Sequence, residues 1–199
     1  CAWGLRSGAG TLWRLPVLVE FAKKHERKIG TISDLIAYRS RNDNEVVETS
    51  RETVTSEYGG DWEMRIFTDQ IHGIEHVVMI KGDITTPEPV LARTHALHEA
   101  SDVLGLGPKS VNELPAAMRK IADEGRGVVC LFREVRHSLY AEEDEGPRTV
   151  KRTGLGAQIL SNLGCSELIL LTDSPQTKYL GLDAYGLSIV GTRPILTEE

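Results

Sequence analysis

The sequence predicts an α/β domain in which a mixed sheet carries helices on its faces and the first half forms antiparallel hairpins. Residues 62–83 contain two β-rich runs separated by a DQIHG turn, which is the pattern of a hairpin. From residue 112 onward, short apolar runs alternate with segments of helical periodicity. That alternation is typical of parallel strands connected by helices, so we expect the sheet to be partly parallel.

Length and composition indicate one globular domain with an additional terminal segment. The 199 residues are 40% hydrophobic, and no apolar run approaches the ~20 residues of a membrane-spanning helix. The 23 basic and 29 acidic residues give a net charge of −6, which disfavours non-specific nucleic acid binding. The first residues do not resemble a signal peptide, and the three widely spaced cysteines suit core thiols in a reducing compartment. We therefore expect a cytoplasmic protein without membrane or nucleic acid partners.

The N-terminal quarter is predicted to hold two short helices and a linker. Proline and apolar residues at helical spacing, from Pro16 to Phe21, predict the first helix. Ser33 is a suitable N-cap for the second helix. The polar stretch RSRNDNEVVETSRE is expected to be a linker that ends near Arg51. Residues 1–10 support no element and stay unassigned, as linker or as a remnant of expression.

The remaining elements follow in order along the chain. Gly73 supplies the permissive backbone of the hairpin turn, and VLARTHAL continues as a further strand. Asn112 is expected to cap a helix that ends at Gly125, and GVVCLF then reads as a strand buried on both faces. A helix through GAQILSNLG ends at Gly164 and is followed by the strands ELILLT and LSIVGTR, with a turn or helix between them.

Two histidines in the stretch RTHALHEASD raise the question of a metal site. His95 and His98 are followed by Glu99 and Asp102, and imidazole and carboxylate groups both bind zinc. A zinc site needs about three or four converging ligands, however, and residues three apart on an extended strand point to opposite faces. A metal site and an ordinary structural role are both open from the residues alone.

Two other segments are candidate anion sites. TVKRTGLGAQIL places Lys151, Arg152 and two glycines at a predicted helix start, where exposed N–H groups and the helix dipole attract anions. Thr172 and Lys178 follow a strand at its carboxyl end, where ligands of open α/β sheets bind. The alternatives are ordinary helix punctuation in the first case and a helix cap with a solvated lysine in the second.

Six segments, taken in order, resemble GTP cyclohydrolase II, an enzyme of the riboflavin pathway. They are EHVVMIKGDI, PVLARTH, IADEGRGVV, GAQILSNLG, LLTDSP and YGLSIVGTRPI. The earlier stretch LWRLPVLVEFAKKHERKIGTISDLIAYRSRN resembles the end of 3,4-dihydroxy-2-butanone 4-phosphate synthase. The resemblance implies that residues 11–52 are the tail of a synthase domain plus linker and that residues 53–199 are a GTP cyclohydrolase II-like domain. It also implies a homodimer and a synthase domain in the same full-length chain.

The sequence departs from this family at its catalytic residues. The family enzyme uses one zinc held by three cysteines, and the motif R-x-H-S-E-C, which contains the first of them, falls on Arg93 to His98. The C-D-C-G motif falls on GPKSVN, and no cysteine occurs between residues 2 and 129. The catalytic D-x-R falls on Thr149 and Lys151, which are neither a carboxylate base nor a guanidinium. We therefore expect no zinc, no other cofactor and no catalytic residue, with His98 as a degenerate metal position.

The resemblance also implies that several cationic and polar residues of the family are retained in this sequence. It implies a remnant pocket for GTP or another phosphorylated molecule, formed by Arg93, His95, Arg136, Lys151, Thr172 and Lys178. The leading hypothesis is a non-catalytic structural or regulatory module of a synthase fusion. Two alternatives are an active nucleotide hydrolase with altered ligands, such as His95, His98 and Glu99 or Asp102, and a sensor of phosphorylated small molecules.

Overall fold

The computed structural model describes residues 10, 12–31, 35, 38, 46–106, 112–133, 147–174 and 182–196, with the backbone alone for residues 147–153. The strands are β1 (Val46–Ser56), β2 (Gly60–Asp69), β3 (Ile74–Lys81), β4 (Val90–Ala96), β5 (Gly127–Phe132), β6 (Glu167–Leu171) and β7 (Ser188–Arg193). The α-helices are α1 (Leu15–Lys24), α2 (Glu113–Glu124) and α3 (Pro147–Asn162). A π-helix at Glu99–Val103 and a 3-10 helix at Leu182–Tyr185 complete the described elements.

One mixed sheet contains all seven of these strands, in the order β1-β2-β3-β5-β4-β6-β7. β1, β2, β3 and β5 are antiparallel neighbours, whereas β5, β4, β6 and β7 run parallel to one another. The predicted α/β class, with hairpins first and parallel strands later, is confirmed. Because parallel strands end on the same side of a sheet, β4, β5 and β6 share a carboxyl edge, and ligands of α/β sheets bind at such an edge.

The two faces of the sheet are covered by different helices. Val90 and Ala92 of β4 belong to the apolar cluster that includes α3, and Leu91 belongs to the cluster that includes α2. Alternate residues of a strand point to opposite faces. Arg93 and His95, which share the parity of Leu91, therefore lie on the α2 face of the sheet.

Several predicted elements agree with the structure. β2 and β3 form the expected hairpin with Gly73 at φ 65°, and Gly125 ends α2 at φ 74°. β5 is buried along both faces, as its continuous apolar sequence predicts. The helix predicted after Ser33 lies almost entirely outside the described residues. No described helix has both the length and the apolar character needed to cross a membrane.

The first strand begins earlier than the sequence predicts. β1 starts at Val46, within the polar stretch that was expected to be a linker ending near Arg51. It is an edge strand with one neighbour, and most of its side chains are exposed. Such a strand needs backbone pairing more than apolar side chains, so a polar sequence is compatible with it.

The beginnings of two helices also differ from prediction. Asn112 precedes α2 with a left-handed backbone at φ 81° and makes no capping hydrogen bond, so the predicted cap is wrong. Side-chain capping requires an extended N-cap backbone, which this conformation excludes. α3 begins at Pro147, whereas the predicted helix start lay near Lys151 to Gly156. The π-helix after β4 was not predicted.

Candidate functional site

The histidine of β4 is held by a carboxylate from the π-helix. His95 and Asp102 are both buried, with side chains 6% and 7% exposed, and His95 Nε2 lies 2.9 Å from Asp102 Oδ2. The same carboxylate oxygen accepts the backbone N–H of His98 at 2.7 Å. One carboxylate therefore links the end of β4 to the turn that follows it.

The contacts of His95 define its tautomer. A guanidinium has only donors, so the Arg93 Nη2 that lies 3.3 Å from His95 Nδ1 makes that nitrogen the acceptor. The ring proton then sits on Nε2 and is donated to Asp102. Both ring nitrogens are therefore engaged, and His95 would have to give up one of these bonds to ligate a metal.

Arg93 is paired with an acidic residue that the sequence did not single out. Its Nη2 donates to Glu113 Oε2 at 2.9 Å, and its Nη1 donates to the carbonyl oxygen of Leu171 at 3.2 Å. The two side chains are 15% and 21% exposed. Glu113 is the first residue of α2, where the helix dipole favours a negative charge. Arg93 thus fastens β4 to α2 and β6.

His98, which the resemblance predicts to be a degenerate metal position, follows β4 and precedes the π-helix. Its carbonyl oxygen accepts the N–H groups of Ser101 and Asp102 at 3.1 and 2.8 Å, which closes a compact turn. Its buried Nδ1 has no hydrogen-bond partner among the described residues. The imidazole therefore offers at most one ligand atom at this position.

The donor set does not fit the family's zinc. In the part of the chain that the structure describes, no three His, Cys, Asp or Glu side chains converge as a metal site. The GPKSVN segment, on which the resemblance places the other cysteine ligands, contains no thiol, imidazole or carboxylate. Zinc needs at least three protein ligands, and His98 supplies one.

The cysteines that the structure describes belong to the core. Cys130 and Cys165 are buried in the apolar cluster on the α3 face, opposite Arg93 and His95. Burial raises the pKa of the Cys165 thiol to about 11 and also raises the pKa of Cys130. Since the thiolate is the metal ligand, both groups are poor ligands, and the prediction of core thiols is confirmed for these two of the three cysteines.

The glycines predicted to form an anion site at a helix start pack within α3 instead. A Cβ on Gly156 would lie 3.1 Å from Phe132, and a Cβ on Gly154 would lie 3.4 Å from the Tyr185 hydroxyl. Because α3 begins at Pro147, the N–H groups of both glycines belong to the helical hydrogen-bond series. The prediction of free N–H groups there is wrong, and the glycines allow close helix packing.

Thr172 lies at the carboxyl edge, directly after β6. Its side chain is buried, and its hydroxyl oxygen accepts the N–H of Ser174 at 3.1 Å. Asp173 accepts the N–H of Ile195 at 2.7 Å, so this turn also holds the chain that follows β7. The Thr172 hydroxyl therefore stabilises the turn that follows β6, and the segment in which the helix-cap alternative placed its helix lies outside the described residues.

The structure brings together only part of the predicted remnant pocket. Arg93 and His95 are in contact, and the Leu171 carbonyl that Arg93 binds is one residue before Thr172. Thr149 and Lys151 lie in the first turns of α3, where the backbone alone is described. Arg136 and Lys178 lie outside the described residues. Glu113 was missed, and its place in a first helical turn was its only signal in the sequence.

The fold and the site define an α/β protein with a polar cluster at the carboxyl edge of parallel strands. The family model for GTP cyclohydrolase II matches residues 45–194. The chain belongs to the GTP cyclohydrolase II family.

The chain is similar to one half of longer relatives. It is 36% identical over 215 residues to the riboflavin biosynthesis protein RibBA of Bacillus subtilis, covering 95% of this chain and 52% of that protein. It is 33% identical over 203 residues to the monofunctional riboflavin biosynthesis protein RIBA 2 of Arabidopsis thaliana, covering 94% of this chain and 42% of that protein.

A solved structure supports the same relationship. RibBX of A. baumannii, a two domain 3,4-dihydroxy-2-butanone 4-phosphate synthase, matches with a TM-score of 0.57 and 26% identity. The match covers 95% of this chain and 52% of that one. The chain thus spans about half the length of the two-domain protein that it matches.

Proposed function

We propose that this chain is a non-catalytic module of a riboflavin-biosynthesis protein, in which a GTP cyclohydrolase II fold supports a fused dihydroxybutanone phosphate synthase domain. The observation that carries the proposal is the pairing of His95 with Asp102 and of Arg93 with Glu113. The two retained residues of the family motif are thereby used to hold β4, α2 and the π-helix together.

The chemistry of the missing ligands supports this role. Opening the guanine imidazole ring requires a nucleophilic water, which the family obtains from zinc. A single imidazole at His98 does not hold that ion, and Thr149 and Lys151 do not replace the family's Asp and Arg. The same positions therefore lack both the activating ion and the proton acceptor.

The length of the relatives supports the fused partner. The chain spans about half of the RibBA proteins that it matches, and RibBX is itself a two-domain synthase. The family model begins at residue 45, whereas the similarity to these longer proteins covers 95% of the chain. Residues 12–44 therefore resemble a part of the longer proteins that precedes the GTP cyclohydrolase II match. A homodimer stays a prediction, which sedimentation velocity tests.

Metal analysis combined with a formate assay tests the proposal. The purified chain, produced with zinc in the medium, is expected to contain well below one zinc per molecule and to release no formate from GTP. A His98→Ala variant should give the same two results, since His98 alone is not a zinc site.

One combination of results would contradict the proposal. About one zinc per chain together with formate release from GTP would show an active hydrolase with altered ligands. Loss of both signals in the His98→Ala variant would then identify His98 as a ligand.

A further inference from the structure

We propose that the Glu113 carboxylate occupies the place beside the Arg93 guanidinium where an anionic ligand would bind. Glu113 thereby prevents phosphate-type ligands from binding near the carboxyl edge of the parallel strands. The inference deepens the proposed function, on which it rests, by stating why the retained arginine of the family motif does not bind a ligand. Helix α2 therefore contributes a contact that inhibits anion binding within the same chain.

The geometry places the carboxylate where a ligand oxygen would bind. Glu113 Oε2 lies 2.9 Å from Arg93 Nη2, and Arg93 Nη1 is directed to the Leu171 carbonyl at 3.2 Å. A guanidinium binds phosphate through the same N–H groups that bind a carboxylate. An incoming anion therefore competes with Glu113 for the same donors.

The charge balance explains why this competition favours Glu113. The Arg93 and Glu113 side chains are mostly buried, so their charges are less screened than those of a surface pair. An anion that displaced Glu113 would leave a partly buried carboxylate unpaired and close to the anion's own charge. The covalently attached carboxylate also loses less entropy on binding than a free ion.

The position of Glu113 in α2 makes the contact stable. It is the first residue of a 12-residue helix, whose dipole favours a carboxylate there. The left-handed backbone of Asn112, at φ 81°, precedes it and sets the direction in which the chain enters the helix. The contact thus depends on the start of α2, and movement of that helix end would release Arg93.

The guanidinium of Arg93 indicates which class of ligand would bind. Arg93 is the middle residue of β4, and its guanidinium reaches the carbonyl of Leu171, which is the last residue of β6 and precedes Thr172 at the carboxyl edge. A small multivalent oxyanion, such as a phosphate or pyrophosphate group, matches a guanidinium at such an edge. Inorganic pyrophosphate is therefore a suitable probe.

The test is the pyrophosphate affinity of the wild-type chain and two charge-matched variants, measured by isothermal titration calorimetry. Glu113→Gln removes the competing charge, whereas Glu124→Gln makes the same change at the other end of α2. Glu124 pairs with Arg193 at 2.8 Å, and both of those side chains are 47% exposed. We expect Glu113→Gln to bind pyrophosphate about tenfold or more tightly than wild type, and Glu124→Gln to equal wild type.

Two outcomes would overturn the inference. One is equal affinity of the two variants, and the other is wild-type binding as tight as that of Glu113→Gln. If Glu113→Gln does not fold, Glu113→Ala provides the same comparison, and thermal unfolding with and without pyrophosphate gives a second readout. Zinc and formate assays of the wild-type chain report on the proposed function separately, because they do not depend on pyrophosphate affinity.

Discussion

Replacing Asp102 by alanine is expected to destabilise the protein by about 2–4 kcal/mol, because the buried His95 side chain and the part-buried backbone N–H of His98 would lose their acceptor. Those donors are His95 Nε2–H, at 2.9 Å, and the backbone N–H of His98, at 2.7 Å. Each unsatisfied buried donor costs ~1–3 kcal/mol, and the total is large beside a typical stability of ~5–15 kcal/mol. Asp102→Asn keeps an oxygen acceptor but loses the charge, so we expect a smaller loss of ~1–2 kcal/mol.

Urea unfolding followed by circular dichroism measures these differences. Asp61→Ala is a suitable control, because Asp61 is exposed and its carboxylate accepts a hydrogen bond from the Thr55 hydroxyl at 2.7 Å. We expect this control to change the stability by about 0.5 kcal/mol or less. If Asp102→Ala loses no more stability than Asp61→Ala, the proposed structural role of the His95–Asp102 pair is refuted.

Two further predictions concern the framework around the site. Arg126 donates to four carbonyl oxygens of the 83–89 loop, at 2.6 to 3.3 Å, so we expect Arg126→Ala to cost about 2–4 kcal/mol and to speed amide exchange in that loop. Unchanged exchange there would contradict this reasoning. Burial acts to raise the pKa of Asp69, but hydrogen bonds from Ile71 and His72 outweigh it and hold that pKa below its usual range. A carboxyl group whose pKa is lowered in the folded state stabilises the protein above about pH 4, and this stabilisation is lost as the pH falls further. In urea titrations, the difference in unfolding free energy between wild type and Asp69→Asn should therefore shrink from pH 7 to pH 3. A difference that stays constant over this range would refute the assignment.

Local sequence signals predicted most of the sheet and helices correctly. The hairpin follows from a turn with Gly73, and the end of α2 follows from Gly125, because glycine adopts the positive φ that both places need. Signals of this kind failed where an element is supported by its neighbours. β1 is held by pairing with β2, so its polar residues do not show that it is a strand.

The sequence predicts which types of side chain are available at the candidate site, but it does not predict which side chains contact one another. The absence of cysteine between residues 2 and 129 is a property of the sequence, so the chain from β1 to α2 supplies no thiolate ligand. The roles of Gly154 and Gly156 show the opposite case. A glycine pair suits an anion loop and a tightly packed helix equally well, and only the positions of Phe132 and Tyr185 distinguish the two.

Residue type and local spacing were sufficient to predict the family, the α/β class and most of the strands and helices. The contacts of Arg93 and His95 depend instead on the tertiary structure. Arg93 and Glu113 are separated by 20 positions and meet because the start of α2 packs beside the middle of β4. His95 and Asp102 meet because a π-helix turns the chain back on itself. Such pairings depend on how distant backbone segments pack, which residue spacing does not specify.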